Sequence, residues 1–432
     1  MGILIKNIKA VLLQEEKFVI ETKDIYIEKD KIVGISNEPK NFIQEKIIDG
    51  TNKLLLPGLI NCHTHSYMSV FRNCADDLAF DDWLFKNILP LEDKLIPEDA
   101  YWGALLSIME MLRTGTTCFL DMHMFPNEIA KAVEDSGIRG VLSRGLVGFG
   151  DDEGGRLRLS QAKEEMNNYK DSSRLSFLYG PHAPYTCDQD YLKIVLEEAK
   201  KDNKGIHIHL SESKNEIENM KKQNNCTPIE YVNQINLFDK NTLAAHCVQL
   251  TEKDIEILRE KKVNVITNPA SNMKLGNGFA PITKLMEQGI NICLGTDGAA
   301  SNNSLNLFHE MSLLALIHKG VEENAQAVSA QDALKFATMN GARALQMEDS
   351  IGQIKEGMKA DLIILNLNNP QFSPRNNLIA GLCYSGTGSE VETVLVDGNI
   401  VMEDKKFTFI DEKEVYVHIE QISKRLGLDR RY

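Results

Sequence analysis

At 432 residues, 43% hydrophobic and 25% charged, the chain is long enough to bury a large core and carries no signature of disorder. Sixty-two acidic against 48 basic residues leave a formal net charge of −14, which argues against gripping phosphate backbones and hence against nucleic acid as a partner. Eight cysteines are scattered without a C-x-x-C pair, which points to core thiols in a reducing cytoplasm rather than a disulfide framework.

Residues 1–53, "ILIKNIKAVLL…FVIETKDIYIEKDKIVGIS", alternate with period two between turn-like breaks and predict strands. No signal-peptide cleavage pattern opens the chain and no apolar run reaches membrane-spanning length, so neither export nor a membrane partner is expected. From about residue 54 to 351, eight apolar runs alternate with helical periodicity: "LLLPGLINCH", "GTTCFLDM", "RGVLSRGLVG", "LSFLYGPH", "GIHIHLSE", "TLAAHC", "VNVITNP" and "NICLGTDG". Helices such as "PEDAYWGALLSIMEMLRTG", ended by Gly115, lie between them. Eight βα units in this length predict a (β/α)8 barrel. From about residue 352 the period-two pattern returns in "DLIILNLN" and "ETVLVDGNIVMEDKKF", and the tail "EVYVHIEQISKRLGLDRRY" predicts a helix. The expected architecture is α/β: a TIM barrel over 54–351, with a small β-sandwich domain built from both chain termini, 1–53 and 352–432. "GFGDDEGG" and "SGTGSE" lack the G-K-[ST] of a phosphate-binding loop and read as turns or an active-site loop.

The strand ends carry His63, Asp121, His182, His209, His246 and Asp297, on the rim where this fold builds its sites. The H-x-H pair His63/His65 aims two imidazoles to one side of an extended backbone. With His209, His246 and Asp297 it makes a set suited to a divalent ion bound by imidazole and carboxylate, zinc by default, with iron(II), manganese(II) or cobalt(II) as alternatives. Such an ion makes hydroxide available near neutral pH. Glu212, three residues past His209, can then serve as general acid/base, although a carboxylate at a helix N-terminus is the plain alternative. His207 shares a face with His209 one layer deeper and is expected to be a hydrogen-bonded core residue. Ser301, Asn302 and Asn303 are expected to cap the next helix, with a role in the pocket as the alternative, Asn272 and Lys274 to shape the loop after the seventh strand, and Trp83 to wall a pocket or anchor its loop.

"LPGLINCHTH", "LRTGTTCFLDM", "HIHLSES", "AAHC", "NPASNMKLGNGFAPI", "GTDGAASNN" and "GQIKEGMKADLIIL" together resemble the amidohydrolase superfamily, in its nucleoside and triazine branch, over nearly the whole chain. The resemblance implies one metal ion per chain on His63, His65, His209 and Asp297, with Glu212, His246 and Asp297 assisting the chemistry. "YGPHAP" lacks the bridging lysine of binuclear relatives, which fits a single ion. By the same resemblance Glu92 holds ribose hydroxyls, Arg144 and Arg156 receive an amino-acid carboxylate, and His182 contacts substrate, alongside Glu212. The implied reaction is hydrolytic deamination at adenine C6 of small nucleosides such as 5′-methylthioadenosine and S-adenosylhomocysteine. Deamination of 5′-deoxyadenosine or adenosine, or hydrolysis of guanine or triazines, stands as the alternative. A homo-oligomer is left open, and the stretch from Ala75 to Lys94 is the expected pocket cover.

Overall fold

The structure, a computed structural model, describes residues 2–428; residues 1 and 429–432 of the expected terminal segments lie outside the described residues. Among the described residues, nine strands form one mixed sheet and eight parallel strands form a second, nearly closed one. The mixed sheet takes Gly2–Gln14, Lys17–Glu28, Lys31–Ile35, Lys46–Asp49 and Lys53–Pro57 from one end of the chain. The other end supplies Leu362–Asn366, Val391–Val396, Asn399–Glu403 and Lys406–Phe407. Lys53–Pro57 is the seam, antiparallel to Leu362–Asn366 with Leu55 opposite Ile364. Alternation decides the packing. Leu55, Leu362 and Ile364 join Ile3, Ile5 and Ile25 in one core, while Leu54, Leu56, Ile363 and Leu365 turn into the larger core around the barrel.

The barrel strands, in chain order, are Leu59–Thr64, Thr116–His123, Arg139–Leu146, Leu175–Pro181, Ile206–Leu210, Thr242–His246, Asn264–Thr267 and Ile292–Leu294. All eight expected runs contribute one. Closure comes just past the eighth strand, where the N–H groups of Thr296 and Asp297 donate to the His63 carbonyl at 3.1 and 2.9 Å. Gly295 permits this approach, because a Cβ there would stand 2.9 Å from His63 N. Ile60, Cys62, Cys118, Leu120, Val141, Leu243, Ile266 and Cys293 pack as one buried cluster, with Ala342, Leu345 and Ile351 of the following chain joining it. Helix Pro97–Arg113 starts on its proline and stops before Gly115, whose φ of 85° no helix continues. Among the described residues no helix is long and apolar enough to cross a membrane.

A buried ion network joins the two sheets at the strand-start end of the barrel. Arg139, first residue of the third barrel strand, donates to Asp361 at 2.8 and 3.1 Å and to Asp397 at 2.5 Å. Lys359 donates to the same Asp397 oxygen at 2.7 Å.

Candidate metal centre and active site

At the opposite end, the strands finish in backbone that few side chains adopt. Ser211, His246 and Asp297 have φ values of 55°, 74° and 60°. Such left-handed residues cost about 1–3 kcal/mol each and persist where the surroundings fix them. Here they are fixed: the Ser211 carbonyl accepts from Val248 and Gln249 N–H, and Asp297 N–H is spent on the barrel closure. In the first strand the register slips by one residue between Asn61 and Thr64, a bulge that re-aims the side chains around His63.

The result is a compact set of four donors. Asp297 Oδ1 lies 3.5 Å from His63 Nε2 and 3.3 Å from His65 Nε2, and His65 Nε2 lies 3.4 Å from His209 Nε2. Ligands about 2.0–2.1 Å from a tetrahedral ion stand about 3.3–3.4 Å apart, so these spacings fit a zinc-sized ion. The outward nitrogens agree. His65 Nδ1–H donates to the Met122 carbonyl at 2.6 Å and His209 Nδ1–H to the His182 carbonyl at 2.8 Å, which leaves each Nε2 as a lone pair facing the set. His63 Nε2 is buried without a hydrogen-bond partner, as an atom reserved for an ion would be. Burial pushes His63 down to about 4 and His209 well below the ordinary histidine value, so both are neutral. Burial opposes the charge of Asp297, but His63 facing it at 3.5 Å and the other neighbouring imidazoles hold its carboxyl well below the usual range. Ser271 and Ser301 donate to its other oxygen at 2.6 and 2.8 Å.

Glu212 is 5% exposed and sits beside this set, with its Oε2 3.8 Å from His246 Nε2. Burial raises its pKa while His246 pulls it down, which suits a group that must both take and give a proton. Two residues without a role in the sequence reading position it. Asn277 Nδ2 donates to its Oε1 at 3.0 Å, and Glu216 accepts its backbone N–H at 2.7 Å. Ser213 caps the helix Lys214–Asn224 by accepting from Glu216 N–H, so Glu212 stands just outside the helix rather than in its first turn. His246 is itself held by Asn272, at 2.9 Å from its Nδ1.

The remaining expected residues divide. His182 is half-buried, its ring 4.8 Å from that of His209. Glu92, 9% exposed on the short helix Leu89–Glu92, accepts the Tyr67 hydroxyl, and burial raises its carboxyl to about 7. Trp83 is buried and donates to the Ala300 carbonyl at 3.3 Å, so it anchors its own segment to the loop after the eighth strand. Arg144 turns to the helix side of its strand, donating to Glu165 at 2.8 Å and Gln161 at 2.6 Å. Arg156 lies on the helix Glu153–Asn168, exposed and paired with Asp151. No hydrogen bond links either arginine to the four donors. His123 pairs with Asp121 at 3.1 Å, and His207 is the expected core residue, bonded at both nitrogens. The capping expectation at 301–303 does not hold: Asn306 caps the helix Leu307–Val321, while Ser301 and Asn302 bond Asp297 and Glu310 instead.

The Amidohydrolase family profile matches residues 54–401. The 5-methylthioadenosine/S-adenosylhomocysteine deaminase of Thermoanaerobacter pseudethanolicus is 46% identical over 99% of both chains. The 5′-deoxyadenosine deaminase of Methanocaldococcus jannaschii is 46% identical over 93% of this chain and 96% of its own. Among solved structures, a zinc-bound adenosine deaminase from Xanthomonas campestris superposes with a TM-score of 0.93 at 30% identity, covering 98% of each chain.

Proposed function

This chain belongs to the amidohydrolase family, a family of hydrolases, and we propose that it removes the 6-amino group from adenosine derivatives, 5′-methylthioadenosine and S-adenosylhomocysteine foremost. The observation that carries the reading is the enclosed Glu212 carboxyl set 3.8 Å from His246, beside two overlapping clusters of candidate metal ligands, His63–His65–Asp297 and His63–His209–His246. His63, His65, His209 and Asp297 would hold a divalent ion. Three imidazoles and one carboxylate at these spacings favour zinc. When bound, the ion supplies a Lewis acid that brings the pKa of water towards neutrality.

The chain's own residues do the rest. His246 and Asp297 orient the attacking water over C6. Glu212 takes a proton from that water and delivers it to N1 as the C6–O bond forms. Glu212 then relays the second proton to the amino nitrogen, the C6–N bond breaks, and ammonia leaves with the 6-oxo purine behind. Water is consumed and no organic cofactor takes part. Glu92 receives the ribose hydroxyls, and His182 lies against the base. Arg156 is free to swing to a homocysteine carboxylate, because its exposed pair with Asp151 is worth little. The reading extends to a cytoplasmic setting, supported by eight cysteines that are all buried, and to a single small-molecule substrate rather than nucleic acid.

A second reading is favoured by Arg144, whose guanidinium is engaged with Glu165 and Gln161. A deaminase of 5′-deoxyadenosine or adenosine needs no carboxylate clamp. The test is ammonia release from 5′-methylthioadenosine, S-adenosylhomocysteine, 5′-deoxyadenosine, adenosine and guanine, with chelated protein as a control. Turnover of the thioether nucleosides that chelation abolishes is the expected result. Release from guanine alone would overturn the substrate assignment.

A further inference from the structure

A histidine holds a metal ion only if the nitrogen facing it is a lone pair. For His65 and His209 a backbone carbonyl settles this, because a carbonyl can only accept. His63 is different. Its Nδ1 lies 2.9 Å from His207 Nε2, an atom able to donate or to accept, so its tautomer depends on what holds His207.

The chain of contacts continues across the barrel. His207 Nδ1 lies 3.0 Å from Ser143 Oγ, and Ser143 donates its one hydroxyl proton to the Asp121 carbonyl at 2.7 Å. That carbonyl can only accept, so it fixes every proton behind it. With its proton committed, Ser143 offers His207 a lone pair, and a neutral imidazole places its single proton on Nδ1 to meet it. His207 Nε2 then accepts, His63 Nδ1–H donates, and His63 Nε2 is left as the inward lone pair. All four residues are 0% exposed, so no water competes for any step.

Ser143 and His207 stand on the third and fifth barrel strands, and the fourth runs between them. They meet because that strand has Gly180 at this level. A Cβ there would lie 2.9 Å from Ser143 Cβ and 3.1 Å from its Oγ.

We infer that Ser143 and His207 are positioning residues that set the His63 tautomer for metal binding, with the Asp121 carbonyl as the fixed end of the chain. This rests on the metal reading above. Neither residue touches the proposed substrate; they act through His63.

The experiment compares wild type with Ser143→Ala, His207→Leu and His207→Gln. Zinc affinity is measured by competition with a chromophoric chelator, folding by thermal melting, and the His63 tautomer by ring-nitrogen NMR of the metal-free protein. Losing such an orienting partner weakens metal affinity about 10- to 100-fold, expected for Ser143→Ala and His207→Leu. His207→Gln, whose amide oxygen can accept from His63, should keep most of the affinity. A folded Ser143→Ala protein that binds zinc as tightly as wild type would overturn the inference, as would His207→Gln no better than His207→Leu. If His207→Leu fails to fold, Ser143→Ala decides. If wild type itself binds no zinc, the metal reading fails, and the nitrogen spectrum decides the relay alone: a proton on His63 Nδ1 upholds it and one on Nε2 overturns it.

Discussion

Asn277 donates to the Glu212 carboxylate at 3.0 Å, so the loop after the seventh strand steadies the proposed acid/base on the loop after the fifth. Burial raises the Glu212 pKa, and this contact is one of the forces lowering it. Asn277→Leu removes that force, and the pKa rises further. A base must be ionised to act, so the acidic limb of the kcat/KM profile moves to higher pH. An unmoved limb would separate Asn277 from the chemistry.

Glu212→Gln keeps the shape of the side chain and removes its capacity to shuttle protons. Turnover is expected to fall about 10²- to 10⁴-fold, the usual share of general acid–base catalysis. Zinc content per chain should stay at the wild-type level, because Glu212 stands outside the donor set. Loss of the ion together with the activity would instead make it a ligand.

Burial holds Glu92 protonated up to about 7. Only its ionised form accepts from both ribose hydroxyls, so KM for 5′-methylthioadenosine should fall as pH rises through about 7. Glu92→Gln should raise KM and flatten that dependence. Parallel KM profiles for the two proteins would remove Glu92 from ribose binding.

Arg156→Ala separates the two substrate readings. A charge-assisted hydrogen bond to a carboxylate is worth about 1.5–3 kcal/mol, and at an exposed site the low end applies. Activity on S-adenosylhomocysteine should drop roughly tenfold while that on 5′-methylthioadenosine is unchanged. Equal effects on both, or on neither, would favour the deaminase that needs no tail contact.

Arg139→Met strands the buried carboxylates of Asp361 and Asp397 where the two sheets meet, at an expected loss of about 3–5 kcal/mol. Burial opposes the Asp397 charge, yet Arg139 and Lys359 hold its pKa below the ordinary value. A depressed carboxylate stabilises the fold above its unfolded pKa near ~4, and that stability is lost as pH falls through the folded value. Melting temperatures of wild type and variant should therefore differ most near neutrality and converge in acid. Calorimetry across that range checks both parts.

The barrel and much of the candidate site were legible because short apolar runs that end at or just before His63, His209, His246 and Asp297 mark strand ends directly. Alternation also placed His207 beside His209. What stayed hidden depends on how separate loops meet. Asn277 sits 65 residues from Glu212, and nothing local in "LGNGF" points at a carboxylate. The Ser143–His207 contact skips a strand and turns on Gly180, which only the assembled barrel displays. Arg144 is instructive. Val141 joins the inner cluster and Ser143 bonds His207, so alternation sends Arg144 to the helix side, where Glu165 receives it. The family resemblance is what suggests a substrate contact there. The left-handed backbone at His246 and Asp297 likewise follows from barrel closure and the following loops, not from the residues themselves.

The seam strand Lys53–Pro57 finds its main partner about three hundred residues later, at Leu362–Asn366. Contacts so distant along the chain are slow to form. During synthesis at ~5–20 residues per second, this strand waits about 15–60 s beside the ribosome with one hydrogen-bonding edge bare. Its middle, Leu54 to Leu56, is apolar on both faces, and Lys53 and Pro57 at its ends are residues that discourage edge-to-edge pairing. Chains that terminate before Leu362 would keep that edge bare indefinitely, so premature termination products of this protein should be captured by chaperones or aggregate through the Lys53–Pro57 segment.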